Sequence, residues 1–157
     1  MPKQKTLQEA YQECSSNGQF RDQESVNKEK IKTMIKIANT NIDAAEIIRE
    51  KIDNKSQQWC VIYTLYYEAL RELADALILL DKKKIASHQC LFAYLCTNYQ
   101  ELELSWNFFE KIRTKRNGIN YYGTLATFND FKEIELQLKL YIKTLDKALK
   151  EHLSEVH

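Results

Sequence analysis

The residues best equipped for chemistry lie between Trp106 and Gly123, in the stretch WNFFEKIRTKRNGINYYG. Four cations, Lys111, Arg113, Lys115 and Arg116, crowd together here, followed by Asn117, Gly118 and the adjacent tyrosines Tyr121 and Tyr122. Of the three glycines in the chain, Gly118 and Gly123 bracket the end of this segment. On a helix at about 100° per residue, Leu102, Trp106, Phe109, Arg113 and Arg116 share a sector of about 80°, and Lys111 and Lys115 point away from it. Arginines that continue an apolar stripe have covered stems and fixed heads. A fixed guanidinium stays charged and grips phosphate or carboxylate through paired hydrogen bonds. The alternative, open at this point, is a pair of structural salt bridges with Glu68 or Glu72 as acceptors. The two lysines read as ordinary surface charges. Tyr121 and Tyr122 can stack a base, hydrogen-bond a phosphate or simply pack. The Gly118-to-Gly123 spacing is not a phosphate loop, because no Gly-Lys-Ser/Thr follows.

Elsewhere the chemistry is sparse. His88 has no second histidine or carboxylate at ligand spacing, so a packed or hydrogen-bonded histidine is the better reading and no metal is expected. Glu68, Arg71, Glu72 and Asp75 read as the polar surface of a helix rather than as a carboxylate pair for acid–base work. Cys14, Cys60, Cys90 and Cys96 show no Cys-x-x-Cys spacing, and the last three sit among apolar neighbours. They are expected to be reduced, buried thiols of a cytoplasmic protein. No cofactor signature is visible.

Long helices must position the cationic segment. The 157 residues fit one domain with a proper core. Neither glycine nor proline occurs from position 19 to 117, and strand alternation is weak. The net charge of +1 gives no global pull towards nucleic acid, so any such binding needs a local patch. The longest uncharged run, Ala86 to Gln100, is too short and too polar to span a bilayer, and the polar N-terminus resembles no signal peptide.

The pattern predicts a short leading helix in residues 3 to 16, opened by a Thr6/Glu9 capping box and closed at Ser15 to Gly18. Residues 1–23 thus form an N-terminal helix and turn ahead of a bundle in 24–157. A long helix from Val26 to Ile52 carries isoleucine and alanine at helical spacing. The next, from Gln57 to Asp81 with Ser56 as its cap, is apolar around most of its circumference and so must be central or face a dimer partner. Lys82 to Lys84 follow as a basic loop. A third helix starts near Ser87, its cap, and a fourth from Glu101 to Asn117 carries the motif. Gly118 is expected to end that helix in the left-handed conformation. A final helix spans Phe131 to Leu153, capped by Asp130.

A helical hairpin, the aromatic-rich segment YTLYYEALRELADALILL, an SHQCLFAYL segment and RNGINYYG before a last helix together resemble the HEPN family over roughly residues 24 to 157. The resemblance implies an all-α, antiparallel up-and-down bundle of four to five main helices that dimerises face to face. In HEPN ribonucleases an Arg-(four to six residues)-His motif from each copy meets across the dimer, and RNA is cut without metal, the ribose 2′-hydroxyl attacking its own phosphate. Arg116 matches the family arginine and Asn117 the polar residue that often follows it. Tyr121 stands where histidine would. A phenol has a pKa of about 10 and is a poor base at neutral pH. The resemblance therefore implies a homodimer that binds RNA or a nucleotide through Arg113, Arg116, Asn117, Tyr121 and Tyr122. Alternatives are an active metal-independent endoribonuclease using Arg116 and Tyr121, and a non-catalytic, partner-binding helical dimer. Some family members are toxins neutralised by a small nucleotidyltransferase, which makes such a protein a candidate partner.

Overall fold

A computed structural model describes residues 3–155 and is essentially all-α. The helices are α1 (Leu7–Ser16), α2 (Lys28–Glu50), α3 (Trp59–Leu80), α4 (His88–Asn98), α5 (Trp106–Tyr121) and α6 (Phe128–Glu155), with a 3-10 turn at Gln100–Leu102. Two dipeptides, β1 (Arg21–Asp22) and β2 (Lys83–Lys84), pair antiparallel with Arg21 opposite Lys84. No helix among the described residues is long and apolar enough to cross a membrane.

The apolar girth of α3 explains the arrangement. Its Ile62, Tyr63, Tyr66, Tyr67, Leu70, Leu73 and Leu77 are all essentially solvent-free, and it touches α2, α4, α5 and α6. A helix apolar on so many sides can only be covered by neighbours on several of them, and α3 is accordingly the axis of the bundle. The α2 stripe, with Ile31, Ala38 and Ala45 fully buried, closes one side. On another side Phe131 of α6 meets Trp59, Tyr63 and Tyr66. Phe109 of α5 stacks on Phe92 of α4 with ring centres 4.4 Å apart, which locks those two helices together.

Helix starts follow side-chain capping. Thr6, Asn27, Ser87 and Ser105 each accept the backbone N–H three residues on. At α6 the capping residue is Thr127, one turn before the expected start. Its hydroxyl accepts from the Asp130 N–H while the Asp130 carboxylate accepts from the Thr127 N–H, so Asp130 completes the box instead of opening it. Ser56 does not cap α3. Its hydroxyl accepts from the Gln58 N–H at 3.1 Å, and Gln58, which occupies the cap position, makes no capping bond of its own.

Three further expectations are corrected. Lys82–Lys84 is not a free basic loop: Lys83 and Lys84 pair with β1, and Lys83 forms an ion pair with Asp22. Cys14 and Cys90 are not thiols but a disulfide with Cα atoms 5.7 Å apart, tying α1 to α4; Cys60 and Cys96 remain free and buried. Their separation of 76 residues carries no spacing signal, because only the docking of α1 on α4 brings them together. Finally, α5 does not stop at Asn117. It runs through Gly118 to Tyr121, and Gly123 is the residue at positive φ, +67°. The Gly118 carbonyl accepts from both Tyr122 and Thr124 N–H groups, which closes the helix end.

Candidate functional site

The extra turn of α5 decides what the site looks like. Ser105 starts the helix, and Phe108, Phe109 and Ile112 pin it to the core. Arg113 follows on the same side. Its Nε and Nη2 donate to both oxygens of Glu110 at 2.8 and 2.9 Å, and Glu110, almost fully buried, also accepts from Gln89 of α4. The guanidinium is thus used within the protein, and the hydrogen bonds with Glu110 raise its pKa further.

Arg116, one turn on, is held differently. Its Nη2 donates to Glu68 of α3 at 2.8 Å. Its Cζ lies 5.5 Å from the Tyr67 ring centre and 5.9 Å from that of Tyr121, so the planar cation sits between two aromatic neighbours. The Asn120 amide, with its oxygen turned inward, accepts from Nε at 3.1 Å. Both arginines therefore have carboxylate partners, one of which is Glu68, an acceptor the sequence allowed.

Glu68 belongs to a larger network. Arg71 donates from Nε to its other oxygen at 2.8 Å, to Glu72 at 3.1 Å, and to Asp75. All four side chains are between 15 and 22% exposed, so this face of α3 is a half-buried ion cluster rather than a solvated surface. Three carboxylates around one guanidinium leave excess negative charge, and burial together with Glu72 pushes Asp75 up to about 6. On the neighbouring helix, His88 shares a 2.9 Å hydrogen bond between its Nδ1 and the Tyr67 hydroxyl. Burial, then the nearby Arg71 and Arg116 cations, lower His88 to about 4, so its imidazole is neutral at pH 7.

The overrun of α5 also separates the two tyrosines. Tyr121 leans over Arg116, whereas Tyr122 turns into a groove between α5 and α6. They are 69 and 80% exposed, among the most open large side chains of the described residues. The groove has a volume of about 750 Å³, and Asn117 lines it. Lys111 and Lys115 reach across it to Glu133 at 2.8 Å and Asp130 at 3.2 Å. The five residues singled out in the sequence are therefore divided. Arg116 and Tyr121 form one cluster, to which Asn117 is linked by accepting from Arg116 Nη1 at 3.5 Å; Arg113 is committed to Glu110, and Arg113, Asn117 and Tyr122 line the groove.

Tyr67 and Asn120 carry no signal in the sequence; Arg71 reads there only as helix surface, and His88 as a packed or hydrogen-bonded histidine, which it is. The run of Glu68, Arg71, Glu72 and Asp75 at helical spacing was visible, but its burial depends on what α3 packs against. Among the described residues, no three histidine, cysteine or acidic side chains gather as a metal site. No protein-family model matches the chain, and no curated protein matches it significantly.

Proposed function

We propose that the chain is a HEPN-like homodimeric protein that binds RNA or a nucleotide at the end of α5. The observation that supports this most is Arg116 held beside Tyr67 and Tyr121 where two consecutive tyrosines stand open to solvent. Large exposed aromatics next to a pre-positioned guanidinium suit a ligand with flat bases and phosphates. Glu68, which holds this cation, also accepts from Arg71, so a phosphate taking its place on Arg116 would leave the carboxylate paired.

Titration of a fluorescently labelled single-stranded RNA tests the reading. Affinity should fall as salt rises, and Arg116→Ala should weaken binding by about tenfold or more, the scale of a lost charged hydrogen bond. Equal affinity of the variant and the wild type would count decisively against it.

A second reading, metal-independent ribonuclease activity, draws support from the neutral His88 beside Tyr67 in the same charged neighbourhood. It requires cyclic-phosphate ends from RNA incubated with chelator, lost in Arg116→Ala. A nucleotidyltransferase-type partner, as in toxin–antitoxin pairs, belongs to either version. Failure of both assays leaves a partner-binding helical dimer in which Arg113–Glu110 and Arg116–Glu68 are structural pairs.

A further inference from the structure

The segment ahead of the bundle is fastened to it by few links. Residues Cys90 to Cys96 of α4 are all buried, so this helix needs cover on its outer side as well as from α3 and α5. Over Cys90 and Tyr94 that cover comes from α1 and the turn after it. Cys14 is bonded to Cys90, and Phe20, itself against Tyr11, meets the Tyr94 ring edge-on at 5.5 Å. Within α1, however, only Ala10 and Cys14 are buried. A helix of 10 residues is marginal on its own in water, and so small an apolar contact is a weak clamp. The covalent tie is the disulfide.

The same segment reaches the edge of the candidate site. The Lys5 carbonyl accepts from Trp106 Nε1 at 2.9 Å at the start of α5, and Gln4 lines the α5–α6 groove together with Asn107, Glu110 and Lys111. Asn98 of α4 adds a long contact, 3.5 Å, to the Tyr11 hydroxyl. Beyond the turn at Asn17 and Gly18 the chain is fixed by β1–β2 pairing and by the Gln23 N–H, which donates to the Lys82 carbonyl at 2.8 Å. The disulfide lines a small pit of about 80 Å³ among Lys5, Glu13, Asn17 and Gln89, and its two residues keep 5 and 7% exposure. A thiol can therefore approach it without the core opening.

We infer that residues 3–16 are a redox-released strap: reduction of the Cys14–Cys90 bond by a dithiol frees α1 from α4 and withdraws Gln4 from the groove. A thiolate of the dithiol attacks Cys14 Sγ, the sulfur–sulfur bond breaks, and Cys90 leaves as a thiolate. Cys90 is the better leaving group because it lies in the first turn of α4, where a helix favours negative charge, whereas Cys14 lies in the last turn of α1. The second thiol of the dithiol then loses its proton, displaces Cys14 from the mixed disulfide and closes the reductant's own disulfide. Two electrons and two protons have passed to the protein, which ends with two thiols. Release uncovers the α4 face around Cys90 and Tyr94 and the end of the groove beside Asn107 and Glu110. The strap stands or falls independently of RNA binding.

The full chain is treated with dithiothreitol in native buffer, and alkylation after denaturation confirms an open bond by labelling all four cysteines in place of the two free ones. Two readouts follow the strap. Trp59→Phe leaves Trp106 as the only tryptophan, and its emission should move to longer wavelength on reduction as it loses Lys5 and meets water. Hydrogen exchange of the wild-type chain, oxidised and reduced, and of Cys14→Ser/Cys90→Ser needs no tryptophan change. The α1 amides should lose protection in the reduced chain and in the double variant, while α2, α3 and α6 keep theirs. Reoxidation should restore both signals in the wild type. Unchanged Trp106 emission and α1 protection in the fully reduced chain overturn the inference, because α1 then stays docked without the bond. Protection lost throughout the bundle overturns it too, since the bond would then hold the whole fold and not a strap. So does a bond that resists the dithiol until the chain is unfolded in urea.

Discussion

His88 shows how a single side chain can carry a pH dependence of the whole fold. Folded, its imidazole titrates near 4, against an ordinary 6.5. It faces the Tyr67 hydroxyl, with Arg71, Arg113, Arg116 and Glu68 nearby. Between those two values the unfolded chain binds a proton that the folded chain does not, so stability falls as pH drops from 6.5 towards 4. After allowance for partial exposure the loss is on the order of 2 kcal/mol. His88→Gln keeps an acceptor for Tyr67 and cannot titrate. Urea unfolding at pH 7 and pH 4.5 should show wild type losing stability relative to this variant by about that amount; a difference independent of pH would refute the assignment. Taking the difference cancels Asp75, which titrates near 6 in the opposite sense. At this scale the sequence disclosed part of the site. Arg116 on an apolar stripe, and Glu68 as a possible acceptor, follow from helical spacing. That Arg113 would turn back to Glu110 three residues earlier was equally available from spacing. The places of Tyr67 and His88 were not, because each depends on which helix lies beside which.

Helix ends are where the sequence and the structure part company most. Asn117-Gly118 resembles a stop signal, yet Gly118 is helical and Gly123 takes the left-handed turn. Two glycines in reach of one helix end compete for that role. The closing hydrogen bonds from Tyr122 and Thr124 to the Gly118 carbonyl settle it in favour of the later one. The two positions should respond oppositely to alanine. Gly123→Ala forces a side chain into positive φ and should cost about 1–2 kcal/mol. Gly118→Ala gains helix propensity of up to about 1 kcal/mol, against an added Cβ 3.4 Å from Thr124. It should therefore be neutral or mildly stabilising in thermal melts. The reverse order would mean that the helix stops at Gly118 after all. The helices themselves were legible because their apolar periodicity is long and unbroken, above all in α3. The β1–β2 pair was not, since two residues a side carry no alternation, and Thr127 as the α6 cap was hidden by the stronger-looking Asp130.

Across the whole molecule, distant segments are held by a few polar and covalent links over the apolar core. Arg49 of α2 donates to Glu135 of α6, where Lys132 and Lys139 also converge, and these bonds hold the Glu135 carboxyl well below its ordinary 4.5. The disulfide closes a loop between positions separated by 76 residues. By loop-closure entropy such a bond stabilises by up to about 4 kcal/mol. Melting with and without reductant, or of a Cys14→Ser/Cys90→Ser variant, should reveal a drop of several degrees; unchanged melting would mean that the bond contributes nothing. The bond also makes a covalent ring of everything from the last turn of α1 to the first turn of α4, with α2 and α3 inside it. A molecule stretched by its two ends could then never pay out that ring, and its fully extended length would stop short by the 76-residue span, roughly 260 Å, until a thiol cut it open. The central hairpin of the bundle is in this sense shielded from tension by two sulfur atoms.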